Sequence, residues 1–241
     1  MERVLITGAN RGIGLEFVRQ CLARGDTVLA GARRPDEARE LDELERRFGE
    51  MLHILPLDVT DDTSIAGAHR SALTRVDGLD LLVNNAGINE GSHDAGGRRL
   101  YVRLGSLSAP DTLRVLHVNT VGPLMVAQAF LDLLRRGRRP RIAGISSGLG
   151  SITHAGGGGY AYNMSKAALN MATRMLSIDL RGEDIVSVAF SPGWVRTDMG
   201  GSQAPLAPAE SVAGMLGVID GLTMEQTGEF LSWKDGKRLE W

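Results

Sequence analysis

The sequence predicts an α/β fold: one doubly wound parallel sheet of about seven strands with helices on both faces. Three observations predict it. Short apolar runs of strand length alternate with amphipathic stretches of helical period over most of the chain. The first such run passes straight into a glycine-rich turn that opens a helix. No internal repeat and no linker divides the 241 residues, so residues 1–241 are expected to form a single domain.

The elements follow in order. The first strand run is Val4–Thr7. Gly14, Phe17, Val18, Cys21 and Leu22 then recur at helical spacing, and Gly25 stops that helix. Further strand runs are Val28–Ala32, Ile54–Val59, Leu79–Val83, Ile142–Ser146, Ile185–Phe190 and Glu229–Trp233. Ala161–Leu180 reads as a long helix, rich in the helix formers Ala167, Ala168, Leu169, Met171, Ala172 and Met175. Asn89–Gly97, Gly156–Gly159 and Gly200–Pro208 read as loops from their glycine and proline content. Right-handed crossovers between parallel strands gather the strand ends and the loops after them along one edge, where a ligand is expected.

Composition excludes several classes of function. Hydrophobic residues make up 43%, enough for a buried core, and 27 basic against 29 acidic side chains leave a net charge of -2. That balance gives no footprint for nucleic acid or an anionic membrane. The basic run Arg135, Arg136, Arg138, Arg139 and Arg141 reads as a solvated helix end. Cys21 is the sole cysteine, so neither an intrachain disulfide nor a thiolate metal cluster can form, and it reads as a core residue. His53, His69, His93, His117 and His154 show no paired ligand spacing, so no metal is expected. His154 is either a loop surface residue or part of a pocket wall. The opening MERVLITGAN has no basic region before an apolar run, and no stretch approaches the roughly 20 apolar residues that span a bilayer. A cytoplasmic protein is expected.

The first strand ends in Thr7-Gly8-Ala9-Asn10-Arg11-Gly12-Ile13-Gly14. Glycines there allow a tight turn, let backbone approach a pyrophosphate and bring the helix close to the sheet. Free N–H groups at the start of that helix favour an anion. A merely structural turn is the alternative, but the strand–turn–helix context is the one a dinucleotide needs. The fold is therefore expected to be Rossmann-like.

The spacing, Gly-x-x-x-Gly-x-Gly behind Thr7, resembles the short-chain dehydrogenase/reductase family. Other segments support the resemblance in order: Asp58-Val59, Asn84-Asn85-Ala86-Gly87, Asn119, Ser147, Tyr162-Asn163-Met164-Ser165-Lys166, and Pro192-Gly193 followed by Thr197. The run Ser191–Gly201 and the ending Gly228–Trp233, with Gly236-Lys237 and Trp241, are similar to the C-factor and Sniffer-like carbonyl reductase branch. The resemblance implies NADP(H) as cofactor and a ketone, aldehyde or secondary alcohol as substrate, with hydride moving on the pro-S face.

In the nucleotide site the resemblance implies contacts from the turn residues Gly8, Asn10, Arg11, Gly12, Ile13 and Gly14. Asp58 and the Val59 backbone would meet the adenine edge, and Asn85, Ala86 and Gly87 would line the adenosine side. Pro192, Gly193, Val195 and Thr197 would approach the nicotinamide and pyrophosphate. Asp58 could instead cap a helix. The second strand ends Gly31-Ala32-Arg33-Arg34, with no carboxylate where the family's NAD form carries one. Arg33 can clamp a 2′-phosphate through its planar fork, and Arg11 is placed to help. The alternative is that both arginines are plain surface charges.

For the chemistry, hydride transfer to a carbonyl leaves an alkoxide that needs a proton. Unperturbed tyrosine, with a pKa of ~10, is a poor base near neutrality, and a lysine cation close by favours its phenolate. Tyr162 and Lys166, four positions apart, share one helix face. Ser147 would hydrogen-bond the substrate oxygen and steady Tyr162. By resemblance, Asn119 would hold a water linking Lys166 to solvent, and Lys166 would also contact the nicotinamide ribose. Ser147 could instead cap a turn, and Asn119 could bond backbone inside a kinked helix. Ser147 and Tyr162 are 15 apart, two more than is common in the family, and Tyr160 sits at the usual spacing. Tyr160 has Met164 rather than lysine four residues on, so the acid is assigned to Tyr162 and Gly156–Gly159 to a lengthened loop. Ser146 is the runner-up for the serine, because a one-residue slip turns a strand side chain over.

Substrate walls are expected from loops near residues 88–110, 149–159 and 194–208. Two other readings compete: an NADP(H)-binding C-factor-like signalling or sensor protein with little turnover, and an enoyl reductase, which would want its tyrosine and lysine further apart. A homodimer, or a tetramer, is expected from the resemblance and from apolar residues on two helices. These are Leu124, Val126, Ala127, Ala129, Phe130, Leu133 and Leu134 on one, and Met171, Ala172, Met175 and Leu176 on the other.

Overall fold

A computed structural model describes residues 1–89, 92–93, 99–100 and 102–241. Seven strands form one parallel sheet: β1 (Arg3–Thr7), β2 (Thr27–Ala32), β3 (Leu52–Pro56), β4 (Leu81–Asn84), β7 (Arg141–Ile145), β8 (Val186–Ser191) and β9 (Phe230–Ser232). Two short strands, β5 (Ser92–His93) and β6 (Arg99–Leu100), pair antiparallel outside it. The sheet order is β3-β2-β1-β4-β7-β8-β9. The chain thus winds outward from β1 to β3, then crosses back to β4 on the other side of β1. That reversal opens a crevice at the carboxyl ends of β1 and β4.

Strand alternation feeds two cores. Val4 and Ile6 of β1 face one side, with Phe17 and Val18 of α1 (Gly12–Ala23), Leu41 of α2 (Arg39–Phe48) and Met215 and Ile219 of α8 (Pro208–Asp220). Leu5 faces the other, with Ile65 and Ala68 of α3 (Asp62–Leu73) and Val126 of α5 (Gly122–Ala129). Between them, α4 spans Ala109–Leu116 and α6 spans Leu131–Leu134, while α7 spans Tyr160–Asp179. Cys21 is buried in the first core.

Three local features position the site. The first is the end of β3. The apolar run was expected to continue as strand to Val59, but it stops at Pro56, because the Asp58 carboxylate accepts from both the N–H and the hydroxyl of Thr60 and folds the chain into a turn. Asp61, not Asp58, caps α3, accepting from Thr63 N–H at 2.9 Å. The second is the glycine run. Gly158 and Gly159 take positive φ angles of 88° and 64°, which turn the chain sharply into α7. The third is a π-turn, His117–Val121, between α4 and α5. Pro123, four residues after Asn119, has no N–H for the Asn119 carbonyl, so the ordinary helical ladder breaks at that residue.

The apolar helix residues divide differently from expectation. Val126, Ala127, Phe130, Leu133 and Leu134 are buried within the chain's own core, because the segment of α5 and α6 turns that stripe onto the sheet, and Ala172 of α7 is buried as well. Leu124, Ala129 and Leu176 are half-buried, and Met171 and Met175 are exposed. Met164 and Ile178, which were not expected, join Met171 and Met175 on an exposed face of α7.

Candidate active site

A cleft of about 810 Å³ lies at the crevice beside β1 and β4. The turn residues Gly8, Asn10, Arg11, Gly12 and Ile13 form one wall, and Asn85, Ala86 and Gly87 after β4 form another. Arg33, Asp58 and Val59 stand at one end, and Tyr162, Lys166, Pro192 and Thr197 at the other. Of the residues expected in the nucleotide site, Gly14, Gly193 and Val195 do not line the cleft. Gly14 acts in packing: a Cβ there would stand 2.3 Å from Gly8 O and 2.4 Å from Asn85 Nδ2. Gly193 takes a φ of 80° beside Trp233, and Val195 is buried in a bridge to Leu206.

The turn is locked from behind. Thr7 Oγ1 accepts from the N–H groups of Asn85 and Ala86, each at 3.0 Å. Asn85 Nδ2 donates to Thr7 O and Gly8 O at 2.9 and 3.1 Å. The start of α1 carries no side-chain cap and no acidic residue in its first turn. Its leading N–H groups therefore point toward the cleft without a side-chain partner, the arrangement that receives a phosphate. Gly8 supplies the close approach: with φ at 63°, a Cβ on it would lie 2.9 Å from Ala86 Cα.

Charges are distributed unevenly along the cleft. Arg11 forms an exposed ion pair with Asp198 at 3.1 Å, and Arg34 one with Glu37 at 3.3 Å. Among the described residues, Arg33 has no hydrogen bond or ion pair. Burial pushes the Asp58 carboxyl up, but the Thr60 hydrogen bonds and the charges of Arg33 and His117 outweigh it and hold the group below its ordinary value. Several lining residues were not legible in the sequence: Glu37, Leu113, Arg114, His117 and Asp198 among them. The turn Pro35–Glu37 brings a carboxylate back to a strand end that carries none itself.

At the other end, Tyr162 and Lys166 stand one turn apart on α7, 7% and 4% exposed. Lys166 Nζ lies 5.6 Å from the Tyr162 ring centre and donates to Ile145 O at 2.7 Å. Burial pushes the Lys166 amine down to about 8. Tyr160 lies at the rim of α7, 36% exposed and outside the cleft lining. The serines divide by strand alternation. Ser146 Oγ is turned into α7, donating to Asn170 Oδ1 at 2.6 Å. Ser147 is half-buried and caps the turn Gly148–Gly150, accepting from Leu149 N–H at 3.2 Å. That bond uses an acceptor site and leaves the hydroxyl proton to be donated. Ser147 itself is not among the residues lining the cleft.

Asn119 is fully buried and does not line the cleft either. Its amide donates to Ile88 O and Ser165 Oγ, both at 2.9 Å, and accepts from Ile88 N–H at 2.8 Å. The side chain is thus committed to structure. Of the expected substrate walls, residues 90, 91, 94–98 and 101 lie outside the described residues. The loop after β7 is tied to the chain's last residues: Thr153 N–H and hydroxyl both donate to Trp241 O at 2.8 Å, and His154 pairs with Glu240 at 2.9 Å. His154 is therefore a surface residue of that loop. Among the described residues, no three His, Cys, Asp or Glu side chains gather to hold a metal. No helix among them is long and apolar enough to cross a membrane.

This strand order and cleft place the chain in a class of nucleotide-binding α/β proteins, and the comparisons narrow the class. The family described as short chain dehydrogenase matches residues 2–206, and the chain belongs to that family. The C-signal protein of Myxococcus xanthus is 45% identical over 164 residues, which cover 68% of this chain and 93% of that protein. Among solved structures, the NADPH-bound carbonyl reductase from chicken fatty liver matches with a TM-score of 0.90 and 38% identity, covering 100% of this chain and 99% of that one. The carbonyl reductase Sniffer of D. melanogaster matches with a TM-score of 0.90 and 35% identity, covering both chains fully at 100%.

Proposed function

We propose that this chain is an NADP(H)-dependent carbonyl reductase that acts reversibly on ketones or aldehydes and secondary alcohols. The observation that carries the reading is the pairing of Tyr162 and Lys166 on one face of α7, opening into a cleft that has the glycine turn as one wall. The uncapped start of α1 and the close approach at Gly8 suit a pyrophosphate. Arg33 suits a 2′-phosphate. When bound, NADPH supplies the hydride that reduces the carbonyl carbon. Tyr162 gives its phenol proton to the carbonyl oxygen, and takes it back when an alcohol is oxidised. The Lys166 cation favours the phenolate between these events. Ser147 donates its hydroxyl proton toward the same oxygen and steadies the developing charge. The Asn119 carbonyl, to which Pro123 can donate no hydrogen bond, holds the water that returns a proton through Lys166.

Following NADPH oxidation with aliphatic, aromatic and quinone carbonyls tests the reading. Turnover with at least one class is the expected result. The likeness to the C-signal protein favours a second reading, a nucleotide-binding signalling protein with little turnover. Tight NADPH binding without turnover on any carbonyl would select it.

Cofactor choice gives a sharper expectation. Arg11 and Arg34 already have carboxylate partners, so Arg33 is the guanidinium ready for a 2′-phosphate. A hydrogen bond to a charged group contributes about 1.5–3 kcal/mol, so Arg33→Asp should weaken NADPH roughly 10- to 100-fold and leave NADH little changed. Titration of both cofactors by fluorescence checks this. Equal NADPH and NADH affinity in the unaltered protein would refute it.

The exposed residues Met164, Met171, Met175 and Ile178 form an apolar stripe at near-heptad spacing down α7. We propose that a second copy of the chain covers it in an isologous dimer. Light scattering at micromolar concentration should then report about twice the chain mass of 25.8 kDa. A tetramer would extend the same contact, and a monomer mass would refute it.

A further inference from the structure

The segment after β7 that carries Ser147 is held to α7 by four hydrogen bonds. Ile145 O accepts from Lys166 Nζ at 2.7 Å. Ser146 Oγ donates to Asn170 Oδ1 at 2.6 Å. Gly150 O accepts from Asn170 Nδ2 at 3.4 Å. Ser146 Oγ also reaches Lys166 O at 3.3 Å, so two of the four contacts belong to the Asn170 side chain, and they fall on either side of Ser147. Asn170 is buried and follows Lys166 by four residues, about one helical turn. The segment has little room to shift: a Cβ on Gly150 would stand 2.8 Å from the Lys166 carbonyl carbon and 2.9 Å from its Cβ.

We propose that Asn170 is a positioning residue, whose carboxamide brackets Ser147 and sets where the serine hydroxyl stands relative to Tyr162 and the substrate oxygen. The inference rests on the role assigned to Ser147 above. Asn170 does not line the cleft, so it acts through the segment rather than on substrate or cofactor. A carboxamide suits the task because one planar group offers an acceptor to the Ser146 hydroxyl and a donor to the Gly150 carbonyl. An aspartate there loses the donor, and an alanine loses both bonds and leaves the Gly150 carbonyl without this partner.

The test compares the unaltered protein with Ser147→Ala, Asn170→Ala and the double variant, measuring kcat, carbonyl KM and NADPH affinity. Asn170→Ala should lower kcat roughly 10- to 100-fold, the scale of a misplaced group, and leave NADPH affinity nearly unchanged. In the Ser147→Ala background the same change should have little further effect, because the two act as one unit. A merely structural role would lower kcat by the same factor in both backgrounds and would overturn the proposal, as would an unchanged kcat or a parallel loss of NADPH affinity. Asn170→Ser keeps a polar group in the pocket and serves the same comparison if the alanine variant does not fold. Full activity of Ser147→Ala alone would remove the role of that serine, and that failure shows in the single variant before Asn170 is touched.

Discussion

Tyr162→Phe should lose most turnover, by roughly 10²- to 10⁴-fold, the usual contribution of a positioned acid. NADPH affinity should stay nearly intact, because only the hydroxyl is removed and the buried ring still packs. Tyr160→Phe should leave kcat close to normal. Both tyrosines lie in the first turn of α7, and the spacing usual in the family would favour Tyr160. The geometry separates them. Tyr162 lines the cleft beside Lys166, whereas Tyr160 is at the rim with Met164, not a lysine, one turn on. Single-turnover rates for the two variants decide the matter. If Tyr160→Phe is the inactive protein, the lengthened loop at Gly156–Gly159 is not an insertion and the acid must be reassigned.

Which parts were legible follows from the range of the interactions involved. The seven sheet strands, the first helix and α7 could be read because their apolar periods are local. The choice between Ser146 and Ser147 was framed by strand alternation; the structure engages the Ser146 hydroxyl with Asn170, yet it is Ser146 and not Ser147 that lines the cleft. What the sequence hid depends on distant partners. The Thr60 bonds that end β3 were invisible because a side-chain turn competes with an apolar run. Glu37 reached the cleft through a short turn that composition does not reveal. The pairing of Arg11 with Asp198, in the loop after β8, joins positions far apart in sequence. The apolar stripe of α5 and α6 could not be sorted into inward and outward residues by count alone. Phe130 and Leu133 fill the chain's own core, and the exposed face belongs to α7.

Lys166→Met should separate activity from stability. Burial holds the amine at about 8 in the folded protein, below its ordinary 10.5. Between those values the unfolded chain keeps a proton that the folded chain has lost, so the stability of the ligand-free protein rises with pH across that window. Below about pH 8 the buried cation instead costs on the order of 3 kcal/mol. Methionine removes that cost along with the bond to Ile145 O, whose loss costs about 1–3 kcal/mol. At neutral pH the variant should therefore melt no lower than the unaltered protein, and its advantage should shrink from pH 8 upward. Activity should move the other way. Without the cation the phenolate is disfavoured, so the rise of alcohol oxidation with pH should shift to higher pH, and carbonyl reduction should fall off later as well. Any apparent pKa belongs to the Tyr162–Lys166 pair rather than to one residue. Lys166→Arg keeps a charge with different geometry, so it should restore the profile only in part. Rate profiles in both directions, with chemistry shown to be rate-limiting, read the first effect, and melting curves over the same pH range read the second. An oxidation limb that stays in place in Lys166→Met would mean that another group tunes Tyr162. A variant that melts far lower at neutral pH would mean that the bond to Ile145 outweighs the burial of the charge.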